Sequence, residues 1–167
     1  NDPKLAWAGA RAHNRWLEEF SASNPPRRAG VALVPITHGV EESVKEVYAL
    51  ADKPGIKGIM IPTMWHGAES YGHEKYDPIW QACHETGLVV HTHSGEADAE
   101  AYNENMAQYM LEVAFWTHRP LWQFLLSGKF DKYPNFKYAP VECGSWWLGD
   151  LLWKTCLLYT SDAADEA

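Results

Sequence analysis

The chain of 167 residues lacks several features that would assign it to a class at once. It has no run approaching the roughly 18 apolar residues that a transmembrane helix needs. No basic stretch followed by an apolar segment opens the chain, so we expect no signal peptide. Its lysines and arginines form no cluster and its net charge is −8, which argues against a nucleic-acid surface. We therefore predict neither a membrane partner nor a nucleic-acid partner.

Cysteine is scarce, and no predicted strand is followed by a glycine-rich loop. Cys83, Cys143 and Cys156 form no CxxC pair, which argues against a disulfide framework and suits a reducing, cytoplasmic location. A GxGxxG pattern is missing, so a dinucleotide-binding fold has no support. Aromatic residues are instead abundant, at 13% with nine tryptophans, and we expect most of the tryptophans in a core.

Short apolar runs alternate with helical patterns along the chain. Apolar residues recur at helical spacing over residues 4–20 and 40–51. Asp77, with Pro78 after it, is expected to cap a third helix that Gly87 closes. Further helix is predicted over 98–126, interrupted near Pro120, and over 145–155. A continuous apolar run predicts a strand buried on both faces at residues 31–35, further buried strands are predicted at 58–62 and 88–93, and residues 136–142 are expected to form a fourth strand.

This alternation of strands and helices predicts an α/β fold with a parallel sheet and right-handed crossovers. Four such units fit a partial (β/α)8 barrel, and they also fit a small doubly wound sheet. Ligands bind at the carboxyl ends of the strands in either architecture. Candidate functional residues are therefore sought where the predicted strands end.

Two histidines end the third predicted strand. The spacing of His91 and His93 places both rings on one face of that strand. A neutral imidazole nitrogen in this position can hold a divalent metal. The structural alternative for either residue is a hydrogen-bonded core histidine.

Several segments, taken in order, resemble one enzyme family. They are residues 14–35, 58–62, 76–95 and 119–137, the last containing Ser127-Gly128-Lys129-Phe130 and Pro134-Asn135-Phe136-Lys137. This order and the last stretch resemble the amidohydrolase-related family, which includes aminocarboxymuconate-semialdehyde decarboxylase and aromatic-acid decarboxylases. The resemblance covers residues 1–154.

The resemblance implies a TIM-like barrel with a divalent metal at its mouth. In the family, the ligands are a histidine pair on the first strand, a histidine ending the fifth and an aspartate ending the eighth. His93 matches the fifth-strand histidine. We expect the other ligands outside residues 1–154, so that the chain holds about four central βα units and an incomplete site. Zinc is the first expectation for the metal, with manganese or magnesium as alternatives.

One position departs from the family pattern. Many decarboxylases of the family end the sixth strand with a histidine followed by glycines, whereas this chain has Glu142 before Cys143 and Gly144. We predict that Glu142 is a buried carboxylate that moves a proton or binds the metal. A structural salt bridge is the alternative.

Four further residues are candidates for the substrate pocket. His91 would lie behind His93, as a pocket residue or as a packing and orienting residue. Trp65 and His66 follow a strand and would line the pocket or lie in a solvent-exposed loop. The guanidinium of Arg119 suits a substrate carboxylate, although a helix-end charge beside Pro120 is the alternative.

These observations predict a metal-dependent hydrolase or decarboxylase of the amidohydrolase family. Its substrate would be a small carboxylated or cyclic molecule, and the parent protein is expected to be a homo-oligomer. Residues 1–155 would be the barrel part, and residues 156–167 read as a non-native tail translated from a sequencing adapter. The alternatives are a catalytically inactive, truncated barrel and a small α/β binding module.

Overall fold

The computed structural model describes residues 2–64, 67–95, 102–103 and 105–160, with side chains described as far as residue 158. Four parallel strands form one sheet in the order in which they occur in the chain. The predicted α/β architecture is confirmed, and the strand order is that of consecutive units of a barrel. The strands are β1 (Gly30–Leu33), β2 (Ile56–Met60), β3 (Val89–His93) and β4 (Tyr138–Val141).

Helices precede, connect and follow these strands, as the sequence pattern predicts. The break at Pro120 separates two helices, and the last helix continues past residue 155. None of the helices within the described residues is both long and apolar enough to cross a membrane. The helices are α1 (Pro3–Ala22), α2 (Val40–Ala51), α3 (Asp77–Thr86), α4 (Met106–His118), α5 (Pro120–Leu126), α6 (Lys129–Lys132) and α7 (Leu148–Thr160).

The two faces of the sheet differ in burial. Ala32, Ile59 and Val90 have no exposed surface, and their face packs against side chains of α2, α3 and α5. On the opposite face Leu33 is 36% exposed and Met60 is half-buried. The prediction that the first strand is buried on both faces is therefore wrong. In a barrel this second face forms the interior, which side chains from the remaining strands fill.

An aromatic cluster forms the centre of the covered face. Trp80 is fully buried, and its ring lies 5.1 Å from Phe124 and 5.5 Å from Phe136, measured between centroids. Its indole N–H donates to the carbonyl of Tyr71 at 3.0 Å, so the polar atom of this large side chain is satisfied.

Three of the described tryptophans lie outside the core, where the sequence had placed most of them. Trp16, Trp146 and Trp153 are 56%, 78% and 62% exposed, respectively. Two of them lie near or on α7, whose apolar side chains Leu152, Leu157 and Leu158 are also exposed. The exposed tryptophans thus lie on α1 and around α7, away from the cluster at Trp80.

Helix α3 begins differently from the prediction. Tyr76 is the residue before the helix, and Asp77 is its first residue rather than its cap. The Asp77 carboxylate instead accepts hydrogen bonds from the ammonium groups of Lys129 and Lys132. Gly87 ends the helix at φ 73°, as predicted, because this left-handed conformation costs glycine little.

Helix α1 covers the outer edge of β1. The side chain of Asn14 accepts from the Leu33 N–H at 2.7 Å and donates to the Leu33 carbonyl at 2.9 Å. Asn14 is itself 5% exposed. One side chain thus satisfies both backbone polar groups of an edge residue.

Candidate functional site

His93 and Glu142 meet where β3 and β4 end. His93 pairs with Val141 in the sheet, so Glu142 is the first residue beyond that pair. The Nε2 atom of His93 lies 3.2 Å from Oε2 of Glu142. Two residues 49 positions apart in the chain therefore face one point at the carboxyl edge of the sheet, where barrels and open α/β sheets bind ligands.

The backbone at Glu142 is unusual. Glu142 has φ 58°, and Gly144 follows with φ 63°. A residue with a Cβ atom rarely adopts this left-handed conformation, and such exceptions concentrate at functional sites. The sequence predicted a buried carboxylate at Glu142. This prediction is wrong, because 64% of the side chain is exposed.

Hydrogen bonding fixes the tautomer of His93. Its Nδ1 atom lies 2.6 Å from the backbone carbonyl oxygen of Ser94. A carbonyl only accepts, so Nδ1 carries the proton, and in the neutral ring Nε2 presents a lone pair towards Glu142. A lone pair and a carboxylate oxygen repel each other at 3.2 Å unless a proton or a cation lies between them. A metal-binding histidine has this arrangement, with its other ring nitrogen donating to a carbonyl.

Ser94 connects the two residues in a second way. Its hydroxyl donates to Oε2 of Glu142, while its carbonyl accepts from His93. The hydroxyl of Thr63, beyond β2, donates to the carbonyl of His93. Sequence reasoning missed Ser94 and Thr63, although both directly follow or adjoin strand ends, where such partners are expected.

A cavity of about 350 Å³ opens beside His93, and Glu142 is not among its described lining residues. Its polar contribution comes from Thr63, His93 and Ser94 at the strand ends. Its apolar walls are formed by Ala6, Ala10, Leu33, Val34, Pro35, Met60, Ile61 and Pro62. The volume and the mainly apolar lining with a few convergent polar groups are typical of small-molecule sites.

His91 lies on the same strand face as His93 but further from the strand end. Its ring occupies the space above Gly58, where a Cβ atom would come within 2.7 Å of Nε2. Burial lowers the pKa of His91, and the carbonyl of Ala139 opposes that shift. The Nδ1 atom is buried without a hydrogen-bond partner. Its place behind His93 is compatible with both alternatives, a pocket residue and a packing residue.

The structure does not bring Arg119 to this pair. Arg119 lies at the junction of α4 and α5, with its guanidinium 5.3 Å from the centroid of the Trp116 ring. It is not among the described residues that line the cavity beside His93. Trp65 and His66 lie outside the described residues, so their predicted place in the pocket stays a prediction.

The turn that carries Glu142 has further support from the start of the last helix. The indole N–H of Trp147 is shared between the carbonyls of Cys143 and Gly144, at 3.0 Å each. The indole stacks on the His118 ring with centroids 3.9 Å apart. His118 is 3% exposed, and burial lowers its pKa to about 4. No sequence signal distinguished Trp147 from its exposed neighbour Trp146.

Two residues do not make a complete metal site. Within the part of the chain that the structure describes, no group of three or more histidine, cysteine, aspartate or glutamate side chains could hold an ion. A catalytic zinc site normally has three protein ligands and one open position. His93 and Glu142 have the donor atoms and the orientation for a part of such a site.

Comparison with known proteins gives the family. The family model described as amidohydrolase matches residues 4–155. The chain belongs to the amidohydrolase family. The family resemblance and the partial-barrel fold expected from the sequence are thereby confirmed.

Individual relatives are decarboxylases. The chain is 25% identical over 145 residues to the 6-methylsalicylic acid decarboxylase of Aspergillus aculeatus, covering 86% of this chain and 44% of that protein. Its fold is similar to that of a 5-carboxyvanillate decarboxylase from Sphingomonas paucimobilis, with TM-score 0.74 and 21% identity over 96% of this chain and 49% of that one.

A third relative was crystallised with a metal. It is the 5-carboxyvanillate decarboxylase of Novosphingobium aromaticivorans in complex with manganese and a nitrobenzoic acid ligand. Its TM-score is 0.74 at 23% identity, and the match covers 95% of this chain and 46% of that one. The chain thus spans about half the length of the relatives that it matches.

Proposed function

We propose that the chain carries the central part of the active site of a metal-dependent decarboxylase that acts on small carboxylated aromatic molecules. The observation that supports this most is the approach of His93 Nε2 to Glu142 Oε2, 3.2 Å apart at the carboxyl edge of a parallel sheet. Family membership supports the reaction class, and the activities of the named relatives support the substrate class.

The cavity beside His93 suits such a substrate. Leu33, Met60 and Pro62 provide apolar surface for a ring, and Thr63 and Ser94 provide hydroxyl groups at the strand ends. A ring placed against the apolar wall would direct a substituent towards His93 and Glu142. The polar groups would then orient the substrate, while the apolar wall would supply most of the binding energy.

The residues present fit a divalent metal as two of its ligands. The Nδ1 atom of His93 is engaged by the Ser94 carbonyl, which leaves Nε2 as the donor atom. Glu142 offers a carboxylate oxygen on the same side. When bound, a divalent ion supplies positive charge that polarises a substrate oxygen or a water molecule. We propose manganese or zinc as that ion, with the remaining ligands outside the described residues.

Glu142 is proposed to move the proton that decarboxylation requires. Cleavage of the bond between ring carbon and carboxylate releases carbon dioxide and leaves the electron pair on the ring carbon. A proton must replace the lost group there, and Oε1 of Glu142, the carboxyl oxygen that does not face His93 Nε2, would deliver it while Oε2 stays beside the ion. The Ser94 hydroxyl would hold this carboxyl group in position through its hydrogen bond.

A hydrolase reaction is the second candidate. Its support is the exposure of Glu142, whose side chain is 64% accessible and so within reach of solvent. A carboxylate in that position would accept a proton from an attacking water molecule. The product distinguishes the two candidates, because only decarboxylation releases carbon dioxide.

The test, made with the full-length parent protein, is an assay of carbon dioxide release from hydroxybenzoates in the presence of Mn²⁺. We expect the Glu142→Gln variant to lower turnover at least about 100-fold, the range of general acid–base catalysis. Glu19→Gln, which removes an exposed carboxylate on α1, serves as the control and should leave turnover unchanged. Unchanged turnover in Glu142→Gln would refute the proton-carrying role.

A further inference from the structure

We propose that Trp147 is a positioning residue that holds Glu142 opposite His93. This inference rests on the proposed function, in which Glu142 carries the proton. Trp147 need not reach the substrate, since it would act through the backbone of the turn that Glu142 begins.

The turn needs an external partner to hold its shape. Two left-handed residues, Glu142 and Gly144, lie within three positions of each other. The backbone carbonyls of Cys143 and Gly144 both accept a hydrogen bond from the indole N–H of Trp147, each at 3.0 Å. A left-handed residue with a side chain persists only where its surroundings determine it, and this shared hydrogen bond is such a determinant.

The indole is itself held in place. It is 8% exposed and stacks nearly parallel on His118, with an angle of 15° between the ring planes. His118 is the last residue of α4. The stacked pair of Trp147 and His118 therefore attaches the Glu142 turn to the end of α4.

Strand β3, which carries His93, is attached to the same end of α4. The hydroxyl of Thr92 donates to the carbonyl of Thr117 at 2.6 Å, and Thr117 directly precedes His118. The Tyr138 hydroxyl, at the start of β4, donates to the same carbonyl at 2.9 Å. Adjacent residues of α4 thus anchor β3, β4 and the turn after β4. This shared anchor fixes the separation between His93 and Glu142, as a preorganised site requires.

The experiment compares Trp147→Phe with Trp146→Phe in the full 167-residue chain. Trp146 is the matched control because it is the adjacent tryptophan and is 78% exposed. A second variant replaces the Trp147 side chain with a benzothienyl group, which keeps the size and stacking of the indole but lacks the N–H donor. The first readout, without metal, is the nuclear Overhauser effect between the ring protons of His93 and the γ protons of Glu142, together with the Glu142 φ angle from scalar couplings. The second is the affinity for Mn²⁺ alone by calorimetry.

Both replacements at residue 147 are expected to abolish most of the Overhauser effect and to move φ of Glu142 out of the left-handed region. Any Mn²⁺ affinity should fall about tenfold, the usual effect of losing a group that supports a ligand. Trp146→Phe should match the wild type. If the variants at 147 only lower the melting temperature and leave the Overhauser effect and φ unchanged, Trp147 has a purely structural role and the inference is wrong. If the wild type binds no Mn²⁺, His93 and Glu142 alone do not hold the ion, and the Overhauser effect and φ decide the role of Trp147.

Discussion

The two faces of the sheet have the same strands but opposite properties. The face towards α2, α3 and α5 contains fully buried Ala32, Ile59 and Val90 and continues into the aromatic cluster around Trp80. The opposite face leaves Leu33 and Met60 partly exposed and carries both strand histidines. Stability is therefore expected to depend on the first face and chemistry on the second. Substitutions on each face can test this division.

The largest effect is expected from Trp80→Ala, on the covered face. Removing this fully buried indole should lower the free energy of unfolding by about 3–5 kcal/mol, because it leaves a cavity among aromatic rings. Urea denaturation measures the change. Trp16→Ala, at a side chain that is 56% exposed, is the control and should cost less than about 1 kcal/mol. Equal losses for the two variants would contradict the division.

Gly58→Ala tests the partly exposed face of the sheet at the position where the His91 ring packs over Gly58. The new methyl group would lie 2.7 Å from both Nε2 of His91 and the carbonyl oxygen of Val89. Because the backbone atom cannot move aside easily, we expect a loss of about 1–3 kcal/mol in unfolding free energy. Gly149→Ala, on α7 with no atom within 4 Å of the new methyl group, should instead be neutral or slightly stabilising. A neutral Gly58→Ala would mean that His91 does not occupy this space.

Acid should destabilise the chain through His118. Burial lowers its pKa to about 4 in the folded state, whereas an unfolded histidine titrates near 6.5. Between these values the unfolded chain takes up a proton that the folded chain does not, so stability falls as the pH decreases from about 6.5 to about 4. We expect a loss on the order of 1–2 kcal/mol, with His91 contributing in the same direction.

Urea denaturation across this pH range measures the loss. His118→Phe keeps an aromatic ring against Trp147 but cannot be protonated, and it should flatten the dependence. A variant with the same pH slope as the wild type would show that the slope has another origin.

The smallest effect is expected from Leu33→Ala on the open face. Its side chain is 36% exposed, so its removal should cost less than about 1.5 kcal/mol. Leu50→Ala, 5% exposed and packed in the core of the covered face, should cost about 2–5 kcal/mol. Thermal denaturation of the two variants measures both losses of unfolding free energy. A larger loss for Leu33 than for Leu50 would reverse the assignment of the two faces.

Much of the fold could be predicted because it depends on local patterns. The apolar runs mark β1 to β4 to within a few residues, and the prolines and glycines mark the ends of α2, α3 and α4. The approach of His93 to Glu142 also follows from topology, because neighbouring parallel strands end at one edge. Their roles in catalysis and metal binding stay predictions.

Other features depend on partners that no local pattern reveals. The carboxylate of Asp77 has the right position to cap a helix, but two lysines more than 50 residues away bind it instead. The exposure of one sheet face depends on which elements cover it, which strand hydrophobicity does not report. Trp146 and Trp147 are the same residue type in adjacent positions, and only the geometry of the preceding turn makes one of them buried.

The amide of Asn14 has a consequence for the behaviour of the sheet towards other chains. A primary amide has one carbonyl and one N–H group in the same relation as a peptide unit, so Asn14 imitates a single residue of a neighbouring strand. Asn14 thereby occupies the backbone donor and acceptor of Leu33, the last residue of β1. An extended segment from another molecule would have to displace a buried side chain before it could pair there. Asn14 of α1 thus hinders edge-to-edge pairing of β1 with another chain at this position.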